Sequence, residues 1–167
     1  MRGLAAWSAA VLLAAIVWGC GAARTSAPVG ALEPDTGAPP QEVAAYHLVE
    51  DGRRQLEEGR TASAVATFQK AMALAPSSPH ANLALAEAKL RQGEFRTAVV
   101  YADRLQRLAG DRPEWRWRAA LVRAQAYEGL GDATRAKTEF TRVLDDDPTN
   151  EDARTGLGRL ESEGQFQ

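Results

Sequence analysis

The chain has 167 residues, of which 45% are hydrophobic, and its 20 basic and 22 acidic side chains give a formal net charge of −2 at pH 7. This balance argues against a strongly basic protein that binds nucleic acid, and a single cysteine excludes an intrachain disulfide. Without the first 41 residues about 125 remain, which is enough for one helical core and no second catalytic module.

The first element predicted along the chain is a signal for export. Arg2 precedes the uncharged apolar run Leu4–Val17, which ends in Val17-Trp18-Gly19-Cys20. A positive start, a short apolar stretch and small residues before a cut are typical of a secretory signal. The arrangement resembles the lipobox of bacterial lipoproteins. The resemblance implies a signal peptide over residues 1–19, a diacylated (palmitate-bearing) Cys20, and a bacterial outer membrane location facing the periplasm, since Gly21 is not the aspartate that retains some lipoproteins at the inner membrane.

Two other interpretations of this segment stay open. Gly3–Ala23 holds 21 uncharged residues, long enough to span a bilayer as an uncut inner-membrane anchor. Alternatively, an ordinary signal peptidase cuts after Ala22 or Ala23 and releases a soluble periplasmic protein. All three interpretations predict that the rest of the chain lies beyond the inner membrane.

Residues 20–41 are predicted to be the lipidated cysteine and a disordered linker. Pro28, Pro34, Pro39 and Pro40 occur there among Gly, Ala, Ser and Thr, with few large apolar side chains to bury. A flexible segment of this length separates its ends by roughly 25 Å on average. We expect a spacer without specific contacts.

From residue 42 the chain repeats one spacing of small, aromatic and chain-breaking residues. Three glycines, 34 and then 38 residues apart, are each followed by an alanine five positions later. The positions that define the repeat are Gly52, Gly59, Ala64, Phe68 and Pro76, then Ala86, Gly93 and Ala98, then Ala124, Gly131, Ala136, Phe140 and Pro148. A period near 34 residues predicts a solenoid of helical hairpins.

Elementary sterics explain this spacing. Small side chains let two antiparallel helices cross closely, and Phe68 and Phe140 fill the space toward the next hairpin. A glycine at positive φ ends the first helix of each pair, and a proline ends the second. Ser78 before Pro79 predicts a helix start, and Thr149 with Asp152 predicts a capping box opening a last helix.

The pattern resembles the tetratricopeptide repeat family, whose repeats carry a leucine–glycine pair, A-x3-F and a closing proline. The resemblance implies an all-α fold: an α-solenoid of three helix-turn-helix repeats plus a C-terminal capping helix. The domain covers residues 42–163, with repeats at Ala45–Ser78, Pro79–Asp111 and Trp117–Asn150 and the cap at Glu151–Glu163. Asp51 and Arg123 depart from the pattern, since each stands where leucine is usual.

The same resemblance implies a concave groove lined by the first helix of each repeat. Its candidate residues are Tyr46, Val49, Arg53, Leu56, His80, Leu83, Glu87, Leu90, Arg118, Leu121 and Gln125. This mixture suits an amphipathic or extended segment of another protein rather than a small molecule. The basic and asparagine clamp that some relatives close on a C-terminal carboxylate is not evident. The alternative is that half of these side chains only pack between helices.

Trp115 and Trp117 alternate with arginines where four extra residues enter the repeat spacing. Trp and Arg are enriched among interface hot spots, so the segment is a possible interface. Side chains two apart on a helix cannot share a face, so we expect one of the two tryptophans to be buried against the second repeat.

No pattern of catalytic or metal-binding residues emerges. His47 and His80 have no ligands at metal-binding spacing, and Asp145-Asp146-Asp147 lacks the alternation of a calcium loop, so we expect a solvated helix end. We predict no cofactor, no small-molecule substrate and no enzyme. The leading hypothesis is a lipid-anchored scaffold or assembly factor of the bacterial envelope that binds an envelope protein. Its alternatives are a regulatory adaptor of a periplasmic enzyme such as a cell-wall hydrolase, and self-association through the repeat ends.

Overall fold

The computed structural model of the protein describes residues 32–164, which form seven α-helices and no strand. The helices are α1 (Pro40–Glu57), α2 (Thr61–Leu74), α3 (Pro79–Arg91), α4 (Phe95–Ala109), α5 (Pro113–Gly129), α6 (Ala133–Asp146) and α7 (Glu151–Gly164). The all-α prediction is confirmed. The predicted signal peptide, residues 1–19, and Cys20 lie outside the described residues. The linker was predicted to run to residue 41, but α1 already begins at Pro40 because a proline has the backbone angle of a first helical residue.

The helices pack as hairpins in a curved row. α1 packs on α2, α3 on α4 and α5 on α6, and α7 closes the stack against α6. The backbones of the first helices of successive pairs also approach one another closely, α1 with α3 and α3 with α5, whereas those of α2, α4 and α6 do not within the part described. Helices that touch lie on the shorter, inner side of a bent stack, so α1, α3 and α5 form the concave side and α2, α4 and α6 the convex side.

The predicted helix ends are largely confirmed. Gly59, Gly93 and Gly131 have φ of 76°, 73° and 75°, where a side chain would be strained. Ser78 Oγ accepts from the Ala81 N–H at 3.4 Å, and Pro79 opens α3. The prediction for α7 was wrong: Asn150, not Thr149, caps it, since Asn150 Oδ1 accepts from the Ala153 N–H at 3.0 Å.

Aromatic rings lie directly on glycines at three helix crossings. A Cβ atom on Gly52 would stand 2.3 Å from the Phe68 ring, and one on Gly156 of α7 would stand 2.3 Å from the Phe140 ring. The Phe68 ring thus lies on α1 of its own hairpin and belongs to a core cluster that includes α3 of the next one. Phe140 reaches the next element as predicted. Because no Cβ fits there, glycine is required for these helices to approach so closely.

The four extra residues of the third repeat lengthen its first helix. That repeat was predicted to start at Trp117, but α5 begins at Pro113, one turn earlier. The added turn carries Trp115 into the space beside α3 and positions Arg116 for a two-bond ion pair with Asp146 of α6, at 3.2 and 2.6 Å. The longer helix thus fills the wider junction between the second and third repeats.

Candidate functional site

The candidate site is the concave surface of α1, α3 and α5, here called the groove. Each of these helices starts with a proline in its first turn, and each presents one face inward at helical spacing. The groove is therefore built from equivalent positions on three parallel elements, whose spacing is set by the hairpins behind them.

An aromatic row crosses the helices at one end of the groove. The His80 ring of α3 stands between the Tyr46 ring of α1, at 5.0 Å between centroids, and the Trp115 ring of α5, at 4.8 Å. The interplanar angles of 74° and 84° are edge-to-face arrangements, which are favourable for aromatic pairs. The row ties the three repeats together, and Tyr46, which is only partly buried, carries it to the surface.

A charged cluster occupies the middle of the groove. Glu87 of α3 interacts electrostatically with Arg53 of α1, with Arg91 of its own helix and with Arg118 of α5. Arg53 also donates to Glu50 at 2.7 Å. The guanidinium of Arg118 lies 4.9 Å from the centre of the Trp117 ring, a cation–π contact. The groove thus concentrates arginines from three helices around one carboxylate.

Burial changes the acidity of two members of this cluster. Desolvation raises the pKa of Glu87, although the three arginines oppose that shift. Desolvation also lowers the pKa of Arg118, and Glu87 opposes that change. Both shifts have the same cause, because a charge that loses water is less stable than one that keeps it. A charged partner group entering here would meet a site that is partly stripped of water already.

The structure separates the predicted groove residues into two classes. Tyr46, Arg53, Leu56, Glu87, Leu90, Arg118, Leu121 and Gln125 are partly exposed. Val49, His80 and Leu83 are only 0%, 5% and 1% exposed, so they were wrongly predicted to contact a partner. Val49 belongs to the hydrophobic core of the first hairpin, and His80 is enclosed by its two neighbouring rings. These side chains shape the groove from behind.

The two tryptophans have different surroundings. Trp115 is 3% exposed and lies against His80 of the second repeat. Trp117 is partly buried and packs against the hydrophobic cluster shared by α5, α6 and α7. A partner can reach Trp117 and the Arg118 side chain above it, but not Trp115.

Arg91 is a groove residue that the sequence pattern did not predict. It lies four residues after Glu87 on α3, a spacing that brings two side chains together on a helix, and its charge acts on Glu87. That spacing was the signal that could have identified it.

Two of the three aspartates at the end of α6 form hydrogen bonds with neighbouring side chains of the protein. Asp146 accepts hydrogen bonds from Arg116, and Asp147 accepts hydrogen bonds from Thr149 and Asn150. The Thr149 hydroxyl is the main reason that the pKa of Asp147 is lowered. Across residues 32–164 no three potential metal ligands are grouped together, and none of the helices there is long and apolar enough to cross a bilayer.

Family models place known repeats on most of this structure. Two models of the tetratricopeptide repeat match, one over residues 55–126 and one over residues 118–150. Together they extend from α1 to the end of α6, more than half of the chain. The resemblance seen in the repeat spacing is confirmed. No curated protein sequence matches the chain significantly.

Solved structures with the same fold come from several sources. The first tetratricopeptide domain of Spaghetti (RPAP3), bound to an HSP90 peptide, is 25% identical, with a TM-score of 0.65 over 74% of this chain and 94% of its own. The Arabidopsis OM64 domain is 22% identical, with a TM-score of 0.66 over 74% and 98% of the two chains. A similar protein from Chlorobium tepidum is 22% identical, with a TM-score of 0.60 over 74% and 96%.

Proposed function

We propose that this chain, which carries tetratricopeptide repeats, is a non-catalytic scaffold that binds a segment of another protein in its groove. Proteins built from this repeat are generally interaction modules. The observation that carries the proposal is the cluster of Arg53, Glu87 and Arg118, which brings charged side chains from three successive repeats onto one concave, partly desolvated surface.

The groove favours an extended or amphipathic segment. Tyr46 at one end and Leu121 toward the other offer apolar contact, while the charged cluster between them selects polar groups on the partner. A similar domain, that of Spaghetti (RPAP3), was solved with a short HSP90 peptide bound. Recognition of a peptide segment by this chain is therefore the use of the groove that we infer.

We also propose that the repeats are held at the bacterial envelope by a lipid on Cys20. The support is the sequence of the first 20 residues, namely a positive start, the apolar run Leu4–Val17 and a cysteine directly after Gly19. Outer-membrane attachment is preferred, and an uncut inner-membrane anchor or a soluble periplasmic form is the alternative. Labelled palmitate should enter the wild-type chain and not Cys20→Ser, and equal labelling of both would refute the lipid.

Site-specific photocrosslinking tests the groove. A photoreactive side chain is placed at Gln125, which is partly exposed on α5, or at Gln69, which is exposed on α2 outside the groove. In membranes that contain the full chain, we expect one partner protein to crosslink from position 125 only, and Arg118→Ala to weaken that product. The same products from both positions, or products of this chain alone, would refute a groove scaffold. A cell-wall hydrolase recovered only at position 125 would identify the partner as an enzyme and the chain as its adaptor.

A further inference from the structure

The convex side of the stack is basic although the chain as a whole is acidic. α4 and α6 carry six basic residues, Arg96, Arg104, Arg107, Arg135, Lys137 and Arg142, which are here called the basic convex face. The helices at the two ends of the stack, α1 and α7, have more acidic than basic residues. The net charge of the sequence is near zero, but the charges are unevenly distributed: α4 and α6 are basic, and α1 and α7 are acidic.

Inward ion pairs remove much of the compensating negative charge. Of the acidic residues on α4 and α6, Glu139 and Asp146 point inward to arginines of α5. Asp103 also reaches Arg123 of α5, at 3.6 Å, and Asp145 stays exposed at the end of α6. Among the side chains described in residues 32–162, no carboxylate lies within ion-pair distance of Arg96, Arg104, Arg107 or Lys137, so these four charges are not neutralised by a neighbouring acid. Such a surface attracts anions.

Exposed apolar side chains interrupt the same face. Val100 of α4, between Arg96 and Arg104 on the helix, is 64% exposed, and Leu130 at the end of α5 is 42% exposed. A cleft of about 350 Å³ joins the two convex helices and is lined by Arg96, Val99, Tyr127, Leu130, Asp132 and Arg135. Asp132 pairs with Arg135 there, so the net positive charge of the cleft comes from Arg96. The guanidinium carbon of Arg135 lies 4.7 Å from the centre of the Tyr127 ring. The face thus combines positive charge with exposed apolar side chains.

We propose that the basic convex face lies on an anionic phospholipid bilayer. Basic side chains near an anionic leaflet each add attraction, and Val100 and Leu130 are suited to the interface between headgroups and acyl chains. A bilayer is favoured over an acidic protein because the inference rests on the proposed envelope anchor, whose linker has an average span of roughly 25 Å and so holds the domain at a high effective concentration near lipid. The groove, on the opposite side of the stack, then faces away from the membrane and is open to its partner.

A fluorescent label tests this orientation in the full chain. Cys20 is kept, because its acylated sulfur in the proposed lipoprotein has no free thiol to react with the dye. Thr138→Cys, exposed on the outside of α6, or Thr155→Cys, exposed on α7, carries the label. The protein is reconstituted into phosphatidylcholine vesicles with or without phosphatidylglycerol, both containing a quencher lipid. We expect quenching at position 138 only with phosphatidylglycerol, its loss when salt is raised to about 0.5 M, and little quenching at position 155.

A matched pair of charge variants completes the test. Arg96→Gln, Arg107→Gln and Lys137→Gln together should abolish the quenching at position 138, since three charges correspond to on the order of 100-fold in binding to an anionic surface. Arg54→Gln, Arg60→Gln and Arg154→Gln remove as much charge from exposed positions elsewhere and should leave it intact. Equal quenching on neutral vesicles, no quenching at all, or equal loss in both variants would overturn the proposal. Groove crosslinking from position 125 is unaffected by the convex variant, so the two proposals fail separately.

Discussion

Arg123 of α5 and Glu139 of α6 form a buried ion pair. Arg123 Nη2 and Nε lie 2.8 and 3.0 Å from Glu139 Oε2, and the two side chains are only 7% and 9% exposed. Gln106 of α4 accepts a further, longer bond from Arg123 at 3.4 Å. A position where the repeat pattern has leucine thus joins three helices of two repeats by polar contacts.

Removal of one partner of this pair should destabilise the fold strongly. Arg123→Ala leaves the buried Glu139 carboxylate with Arg142, at 2.7 Å, as its one remaining cation. The cost should approach the roughly 3–5 kcal/mol that is typical when a buried pair is broken. Arg123→Leu combined with Glu139→Leu leaves no buried charge without a partner, since Arg142 and Asp103, which each lose a partner, are 59% and 48% exposed. The double variant should be near neutral or stabilising. Urea unfolding of the single and double variants measures both. A small effect of Arg123→Ala would show that the pair contributes little to stability.

Two glycines of α7 should respond oppositely to alanine. In Gly156→Ala the new methyl meets the Phe140 ring, and overpacking of this kind costs about 1–3 kcal/mol. In Gly158→Ala nothing lies within 4 Å of the new Cβ, so the better helix propensity should stabilise α7 by up to about 1 kcal/mol. Thermal melting compares them directly. The packing argument is wrong if the two variants melt alike.

Alanine substitution of Trp115 should mainly lower the stability of the fold, whereas substitution of Trp117 should mainly weaken binding of the partner. Trp115→Ala removes a buried ring from the aromatic row and should cost about 3–5 kcal/mol of unfolding free energy. Trp117→Ala should cost less, because its ring is only partly buried, and should reduce capture of the partner at position 125. Melting and crosslinking are measured on both. If Trp117→Ala leaves capture unchanged, Trp117 is a packing residue only.

Glu87 should make the fold less stable as the pH rises. Its folded pKa is raised above the ordinary 4.5 mainly by burial, so the protonated form favours the folded state at low pH and that contribution is lost as the pH rises above 4.5. Glu87→Gln should therefore be more stable than the wild type at pH 7, with the difference vanishing near pH 4. Urea unfolding of both proteins at pH 7 and near pH 4 shows which of the two is the more stable at each pH. A less stable variant at pH 7 would mean that attraction to Arg53, Arg91 and Arg118 outweighs burial.

Local features could be predicted from the sequence where a residue type at a given position is compatible with only one backbone conformation or one hydrogen-bonding role. The glycines at 59, 93 and 131 needed positive φ, and Ser78 before Pro79 could only open a helix. The last helix was less certain, since Thr149 and Asn150 are both good caps and the side chain of Asp147 decided between them by holding Thr149. Local rules identify helix ends to within a residue or two and do not choose among neighbouring caps.

The spacing of small, aromatic and breaker residues by itself determined that this protein is a stack of helical hairpins with an inner face, because helix crossings and helix ends depend on residues close in sequence. Only the tertiary structure decided that Val49, His80 and Leu83 lie behind the groove, that Arg123 pairs with Glu139, and that the basic residues of α4 and α6 collect on the convex side. Burial and charge pairing depend on which surfaces of distant helices meet. That is set by the twist of the whole stack and by the extra turn of α5.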